Sequence, residues 1–245
     1  MTTTENHLRI ALVTGASDGI GKETARQLSE KGIRVILGAR NLEKGEKVAR
    51  EFKQNGPEVE TVQLDVTSEE SVTNAALEVA WRHGRLDILV NNAGVFLDRG
   101  PVHEMPVDEL MATYETNIFG TFRVIKHFLP LLRRSRQGRI VNVSSGLASL
   151  LNMTDEASPY YHVSLPAYAS SKAALNVMTI HLARELQESG IKVNAVEPGL
   201  TATRYVQMPG AQPVEVGAEA PVRYALIGED GPSGGFFDRF GPHQW

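Results

Sequence analysis

Six apolar runs of strand length recur along the chain, each followed by a stretch with helical spacing, and this alternation restricts the fold more than any other feature. They are "RIALVTG" from Arg9, "IRVILGA" from Ile33, "EVETVQLDV" from Glu58, "LDILVNNAG" from Leu86, "GRIVNVSS" from Gly138 and "IKVNAVEPG" from Ile191. They read as near-continuous Val, Ile and Leu rather than as apolar and polar in alternation, which a parallel sheet covered on both faces requires. The intervening segments 21–31, 42–54, 69–83 and 167–189 are long enough for crossover helices. Thr67 and Ser68 ahead of Glu69 and Glu70 form a helix start signal. No linker, repeat or low-complexity block divides the pattern across the 245 residues. A single α/β domain over 1–245, a doubly wound parallel sheet flanked by helices, is therefore expected. Residues 1–8 read as a polar tail ahead of it, and Gly235 to Phe240 as a short final edge strand.

Charge and composition remove several function classes. The 25 basic and 29 acidic residues give a formal charge of -4, and "RRSR" at Arg133 to Arg136 is the one short basic run, so nucleic acid is not an expected partner. No leader-like segment opens the sequence and no run of about 18 apolar residues occurs, which predicts a cytoplasmic protein with no membrane contact. There is no cysteine, which excludes disulfides and thiolate chemistry. The seven histidines lack ligand spacing of the H-E-x-x-H kind, and no metal site is expected.

After the first strand comes "TGASDGIG", in which Gly15, Gly19 and Gly21 enclose Ser17, Asp18 and Ile20 at the turn into a helix. Glycines there let the backbone approach a pyrophosphate, and the helix N-terminus adds free N–H groups and a positive dipole end. The loop therefore predicts dinucleotide binding. An acid about 20 positions further on would hold an unphosphorylated ribose. The second strand instead ends "LGARN", placing Arg40 there, and a guanidinium takes a phosphate in bidentate fashion, which favours NADP(H).

The stretch "SPYYHVSLPAYASSKAALN" holds Tyr160, Tyr161 and Tyr168, of which only Tyr168 has a lysine four residues later. Residues four apart share a helix face, so Tyr168 and Lys172 project together. An ordinary phenol titrates near pH 10, and a neighbouring ammonium lowers that by up to roughly three units, toward working pH. Ser145, at the end of the fifth strand, is placed to hydrogen-bond a carbonyl oxygen on which negative charge develops.

The glycine spacing G-x-x-x-G-x-G, "LDV" at Leu64 to Val66, "NNAG" at Asn91 to Gly94, Asn117 in "NIFG", "VNVSS" ending at Ser145, "YASSK" from Tyr168 to Lys172 and "PGLTAT" from Pro198 to Thr203 follow in order. In these motifs the chain resembles the short-chain dehydrogenase/reductase family from Ile10 to about Thr203. The resemblance implies a Rossmann-type fold and a catalytic group of Asn117, Ser145, Tyr168 and Lys172. It implies cofactor contacts from Gly15, Ser17, Asp18, Gly19, Ile20 and Gly21, from Arg40, Asp65 and Val66, and from Asn92, Ala93 and Gly94. Tyr168 and Lys172 themselves, and Pro198, Gly199, Thr201 and Thr203, complete the implied set. The implied reaction is reduction of a ketone or aldehyde by hydride from NADPH. In it Tyr168 donates the proton, Lys172 tunes the phenol and binds the nicotinamide ribose, Ser145 polarises the carbonyl, and Asn117 holds a water in a proton relay.

Ser145 and Tyr168 lie 23 residues apart, about twice the gap of many family members. The surplus makes 146–167 an expected insertion over the active site, and 204–214 is short for a substrate lid. With the ending "GGFFDRFGPHQW", these departures resemble the carbonyl-reductase branch. The insertion lies near a surface other members use for assembly, which leaves homodimer, homotetramer and monomer open. Two alternatives also stand: a 3-oxoacyl or hydroxysteroid substrate, and an NADPH-binding regulator without catalysis.

Overall fold

The computed structural model describes residues 8–52, 59–98 and 100–245. Most of the 1–8 tail, Lys53 and Gln54 at the expected helix end, and Glu58 lie outside the described residues. Strand β1 (Ile10–Thr14) leads into helix α1 (Gly19–Glu30), β2 (Arg34–Ala39) into α2 (Leu42–Phe52), and β3 (Val59–Gln63) into α3 (Glu69–His83). After β4 (Ile88–Asn91) come α4 (Val107–Tyr114), a π-helical turn (Glu115–Gly120) and α5 (Thr121–Leu132). Next are β5 (Arg139–Val143), a 3-10 turn (Gly146–Ala148), the short α6 (Leu150–Thr154) and the long α7 (Pro166–Glu185). The chain continues through β6 (Lys192–Val196), α8 (Val214–Gly217), α9 (Glu219–Ala225) and β7 (Phe236–Phe237).

All strand pairs are parallel, in the order β3-β2-β1-β4-β5-β6-β7. The six apolar runs are the first six strands, and every residue of β1, β4 and β5 is buried. Alternate residues of each strand serve opposite faces. Leu12, Ile36, Leu89 and Ile140 pack with Val72 of α3 and Phe128 and Leu132 of α5, whereas Val13, Leu37, Val90 and Val141 pack with Leu28 of α1 and Tyr224 of α9. Burying a side chain such as Phe128 contributes about 1.5–3 kcal/mol, so the two layers hold the sheet from both sides. Strand order reverses at β1, which is flanked by β2 and β4, and in such sheets a crevice opens at the carboxyl ends of the strands at that point.

Helix α3 begins at its sequence signal: Ser68 Oγ accepts the Ser71 N–H at 3.2 Å, and Glu69 and Glu70 occupy the first turn. The final strand is shorter than expected. The Asp238 carboxylate accepts the N–H groups of Phe240 at 2.7 Å and Gly241 at 2.9 Å, folding the chain into a turn directly after Phe237. No helix among the described residues is long and apolar enough to cross a membrane.

Candidate active site

One wall of the crevice is the glycine loop. Gly15 at φ +63° and Gly19 at φ +54° take left-handed conformations open chiefly to glycine. Thr14 Oγ1 accepts the N–H groups of Asn92 and Ala93, both at 3.0 Å, and Asn92 Nδ2 donates to Thr14 O at 3.0 Å. A Cβ on Gly21 would collide with that Asn92 amide and with Gly15 O. The "NNAG" segment is thus a strut behind the loop, in addition to any contact that Gly94 offers a ligand.

At the start of α1, Asp18 accepts the Gly19 N–H at 2.8 Å and pairs with Arg204 at 3.5 Å. The N–H groups of Ile20 and Gly21 find no acceptor among the described residues, as a helix N-terminus built for an anion leaves them. Arg40 is exposed just past β2, two residues beyond the Gly38 that pairs with Thr14, and forms no ion pair with the described residues. Free N–H donors and an uncommitted guanidinium at one sheet edge fit a phosphorylated dinucleotide.

The remaining implied cofactor residues line the same edge. Asp65 accepts the Thr67 N–H at 3.0 Å and hydroxyl at 2.7 Å, and buried Val66 packs on Gly120 of the π turn. Gly199, at φ +76°, turns the chain after Pro198, and the buried Thr201 hydroxyl donates to Gly199 O at 3.0 Å. The Thr203 methyl then comes up to Gly19, so this loop approaches the glycine loop from the opposite side.

The four implied catalytic residues converge at the centre. Lys172 is buried, its Nζ donates to Val143 O at 2.8 Å, and it lies 5.7 Å from the centroid of the Tyr168 ring. The Ser145 side chain is near enough to the Tyr168 phenol to favour its ionised form, and Ser145 Oγ accepts the Leu147 N–H at 3.2 Å. Phe96 meets the Tyr168 ring edge-on with centroids 6.0 Å apart. Asn117, fully buried in the π turn, accepts the Val95 N–H at 2.8 Å and donates to Val95 O and to Ser171 Oγ, both at 2.9 Å. Its side chain therefore joins the loop after β4 to α7. Single π turns of this kind recur at functional sites.

The phenol's acidity departs from the sequence expectation. Burial pushes Tyr168 up to about 12; the Ser145 hydrogen bond works against this rise and the Glu197 charge adds to it. Desolvation of the ring is the largest influence, and the Lys172 ammonium donates to the Val143 carbonyl rather than to the phenol. Burial likewise brings Lys172 down to about 8. At neutral pH Tyr168 keeps its proton, and the group is suited to giving that proton away.

Asp98 was not anticipated from the sequence. Its carboxylate accepts the Ala167 N–H at 2.6 Å and the Tyr168 N–H at 3.2 Å. Helix α7 opens with Leu165 and Pro166 and has no capping side chain of its own, so the loop after β4 supplies the cap. The available signal was a long helix without a capping residue of its own and an acid on a neighbouring loop.

A parallel sheet with a glycine loop at its switch point and a Ser, Tyr, Lys and Asn cluster at the same edge defines a dinucleotide-dependent oxidoreductase. Residues 9–212 match the family model for short chain dehydrogenase. The chain belongs to the short-chain dehydrogenase/reductase family. A short-chain dehydrogenase/reductase of Stachybotrys chlorohalonatus is 37% identical, over 93% of this chain and 87% of the relative. The (+)-neomenthol dehydrogenase of Arabidopsis thaliana is 35% identical, over 94% of this chain and 96% of the relative. Among solved structures, ElxO with NADP bound superposes with a TM-score of 0.82 at 27% identity, over 94% of this chain and 96% of that one.

Proposed function

We propose that the protein is an NADP(H)-dependent carbonyl reductase of the carbonyl-reductase-like branch, converting a ketone or aldehyde to its alcohol. The observation that carries this reading is the convergence of Tyr168, the buried Lys172 and the buried Asn117 beyond the ends of the central strands, at the edge where Arg40 and the glycine loop meet. The residues that would hold the cofactor are the N–H groups of Ile20 and Gly21, Arg40 for the 2'-phosphate, and Lys172 for the nicotinamide ribose. NADPH, when bound there, supplies the hydride. Ser145 Oγ holds the substrate oxygen, and Tyr168 Oη gives that oxygen its proton as negative charge develops. Lys172 keeps positive charge beneath the phenol as the proton leaves, and Asn117 fixes the β4 loop against α7 and marks the route by which a water relays the replacement proton.

The substrate is apolar. Phe96, Leu97, Leu200, Tyr205 and Met208 are exposed on loops leaving the same edge. The nearby cation Arg204 is engaged by Asp18 and lies 4.6 Å over the Tyr205 ring. Segment 146–167 covers the site, 204–214 is the substrate loop, and the enzyme works in the cytoplasm as one catalytic domain.

The test follows NADPH and NADH consumption across aliphatic, aromatic, quinone and steroid carbonyls. Turnover favours NADPH, and Tyr168→Phe lowers it by roughly 100- to 10,000-fold without weakening NADPH binding. Arg40→Ala removes on the order of 10-fold of the preference, the worth of a charge-assisted hydrogen bond. Full activity in Tyr168→Phe would overturn the assignment, and equal use of both cofactors by the unaltered protein would overturn the role of Arg40.

A further inference from the structure

Behind Ser145 lies a buried carboxylate that the reaction does not use. Glu197 is the first residue past β6, and only 5% of its surface is exposed. Its Oε1 accepts the Tyr160 hydroxyl, and its Oε2 lies 2.6 Å from His243 Nε2. The two partners come from distant parts of the chain: Tyr160 from the segment between Ser145 and α7, His243 from the stretch beyond β7. That stretch is fixed at several further points. His243 N–H donates to Phe236 O at 2.8 Å, the Phe236 ring lies 4.7 Å from the His243 ring and 5.6 Å from Trp245, and Ser149 Oγ donates to the Trp245 main-chain oxygen at 2.9 Å.

Gly146, adjacent to Ser145, packs directly on this cluster: a Cβ there would collide with Glu197 Oε1 and with the Tyr160 ring. Burying a carboxylate is costly unless it is paired and hydrogen-bonded, and here both oxygens are engaged. The second His243 nitrogen, Nδ1, sits 3.0 Å from Gln244 O. Both ring nitrogens thus face oxygens that only accept, and only the doubly protonated ring satisfies both.

We propose that Glu197 is a positioning residue: gripping Tyr160 on one side and His243 on the other, it fixes the Gly146 turn that carries Ser145, and it ties the order of that turn to the protonation of His243. This deepens the carbonyl-reductase reading and rests on it for the role of Ser145. The titratable groups facing His243 are Glu197 and Asp238, and those facing Tyr160 are Glu197, Asp238 and, from α7, Tyr168. The Glu197 hydrogen bond raises His243 above its ordinary value, against the opposing effect of burial. The charged, doubly donating contact is therefore complete below about pH 6.5, the ordinary histidine value, and weakens as pH rises through the raised one, where the neutral ring keeps a single N–H for two oxygens.

Hydrogen exchange tests this on the whole chain without substrate or cofactor, following the bonded amides of Ala148, Ser149, Met153 and Tyr160. After correction for intrinsic exchange, their protection in the unaltered protein falls in one step as pH rises. His243→Gln abolishes the step, and Glu197→Gln lowers protection at every pH. In turnover, Glu197→Gln costs kcat on the order of 100-fold, the effect of misplacing a reacting group by about 1 Å, while the KM for NADPH stays near its original value. Tyr160→Phe reproduces part of that loss with its pH dependence intact. Unaltered protection in Glu197→Gln, or a pH step that survives in His243→Gln, overturns the proposal. Should no carbonyl be turned over, the reductase reading fails while the exchange result still decides whether Glu197 orders this turn.

Discussion

The two walls of the crevice are held by different kinds of contact. On the cofactor wall, Thr14, Asn92, Gly15 and Gly21 meet through main-chain groups and short uncharged side chains, with no room for an added carbon at Gly21. On the substrate wall, carboxylates reach across the fold: Asp98 to the start of α7, and Glu197 to Tyr160 and His243. The first wall is set largely by steric fit. The second is set by ionisable groups and is open to adjustment by pH or by single substitutions that leave the sheet intact. A rigid seat for a common cofactor beside an adjustable seat for a variable substrate is how one fold serves many alcohol and ketone pairs.

That contrast breaks most readily on the steric side. Gly21→Ala forces a methyl group into Asn92 and the Gly15 carbonyl, and overpacking of this kind costs about 1–3 kcal/mol. We expect NADPH binding to be lost in titration calorimetry together with a lowered Tm; a variant that binds NADPH normally would show that the loop yields, and the contrast would fail.

The next effect concerns Lys172, which lies between the walls. Its folded value of about 8 is below the ordinary lysine value of 10.5, so between those limits the unfolded chain binds the extra proton. Stability of the cofactor-free protein therefore rises with pH across that window, by up to about 1.4 kcal/mol per pH unit, and the contribution is absent below pH 8. Denaturant unfolding at pH 8, 9 and 10 measures the slope, and Lys172→Met flattens it. An unchanged slope in that variant would assign the proton to another group.

The smallest effect is on the substrate wall. Asp98→Ala removes the cap of α7 and costs about 1 kcal/mol. We expect a modest fall in Tm with a larger loss of kcat than of NADPH affinity, because the uncapped turn is the one that carries Tyr168. Asp98→Asn, which still accepts through its carbonyl oxygen, restores part of the loss. Equal losses in kcat and NADPH affinity would mean that Asp98 supports the whole crevice, and the distinction between the walls would be blurred.

The sequence by itself determined what depends on neighbours along the chain. Apolar runs specify the parallel strands, continuous in the buried centre and alternating with polar residues in the edge strand β3, glycines at 15, 19 and 21 specify a close backbone approach, and the four-residue spacing of Tyr168 and Lys172 places both on one helix face. The helices between Val107 and Leu132 were not assigned from the sequence, since prolines and Gly120 interrupt their periodicity and the π turn shifts the face that Asn117 presents. Strand β7 shrank to two residues because the Asp238 turn outweighs the apolar pattern. Only the tertiary structure decided the acidity of Tyr168, the cap that Asp98 supplies and the grip of Glu197 on Tyr160 and His243. Each of these depends on burial or on a hydrogen bond between residues 37 or more positions apart, and no local pattern encodes which side chains the packed sheet brings together.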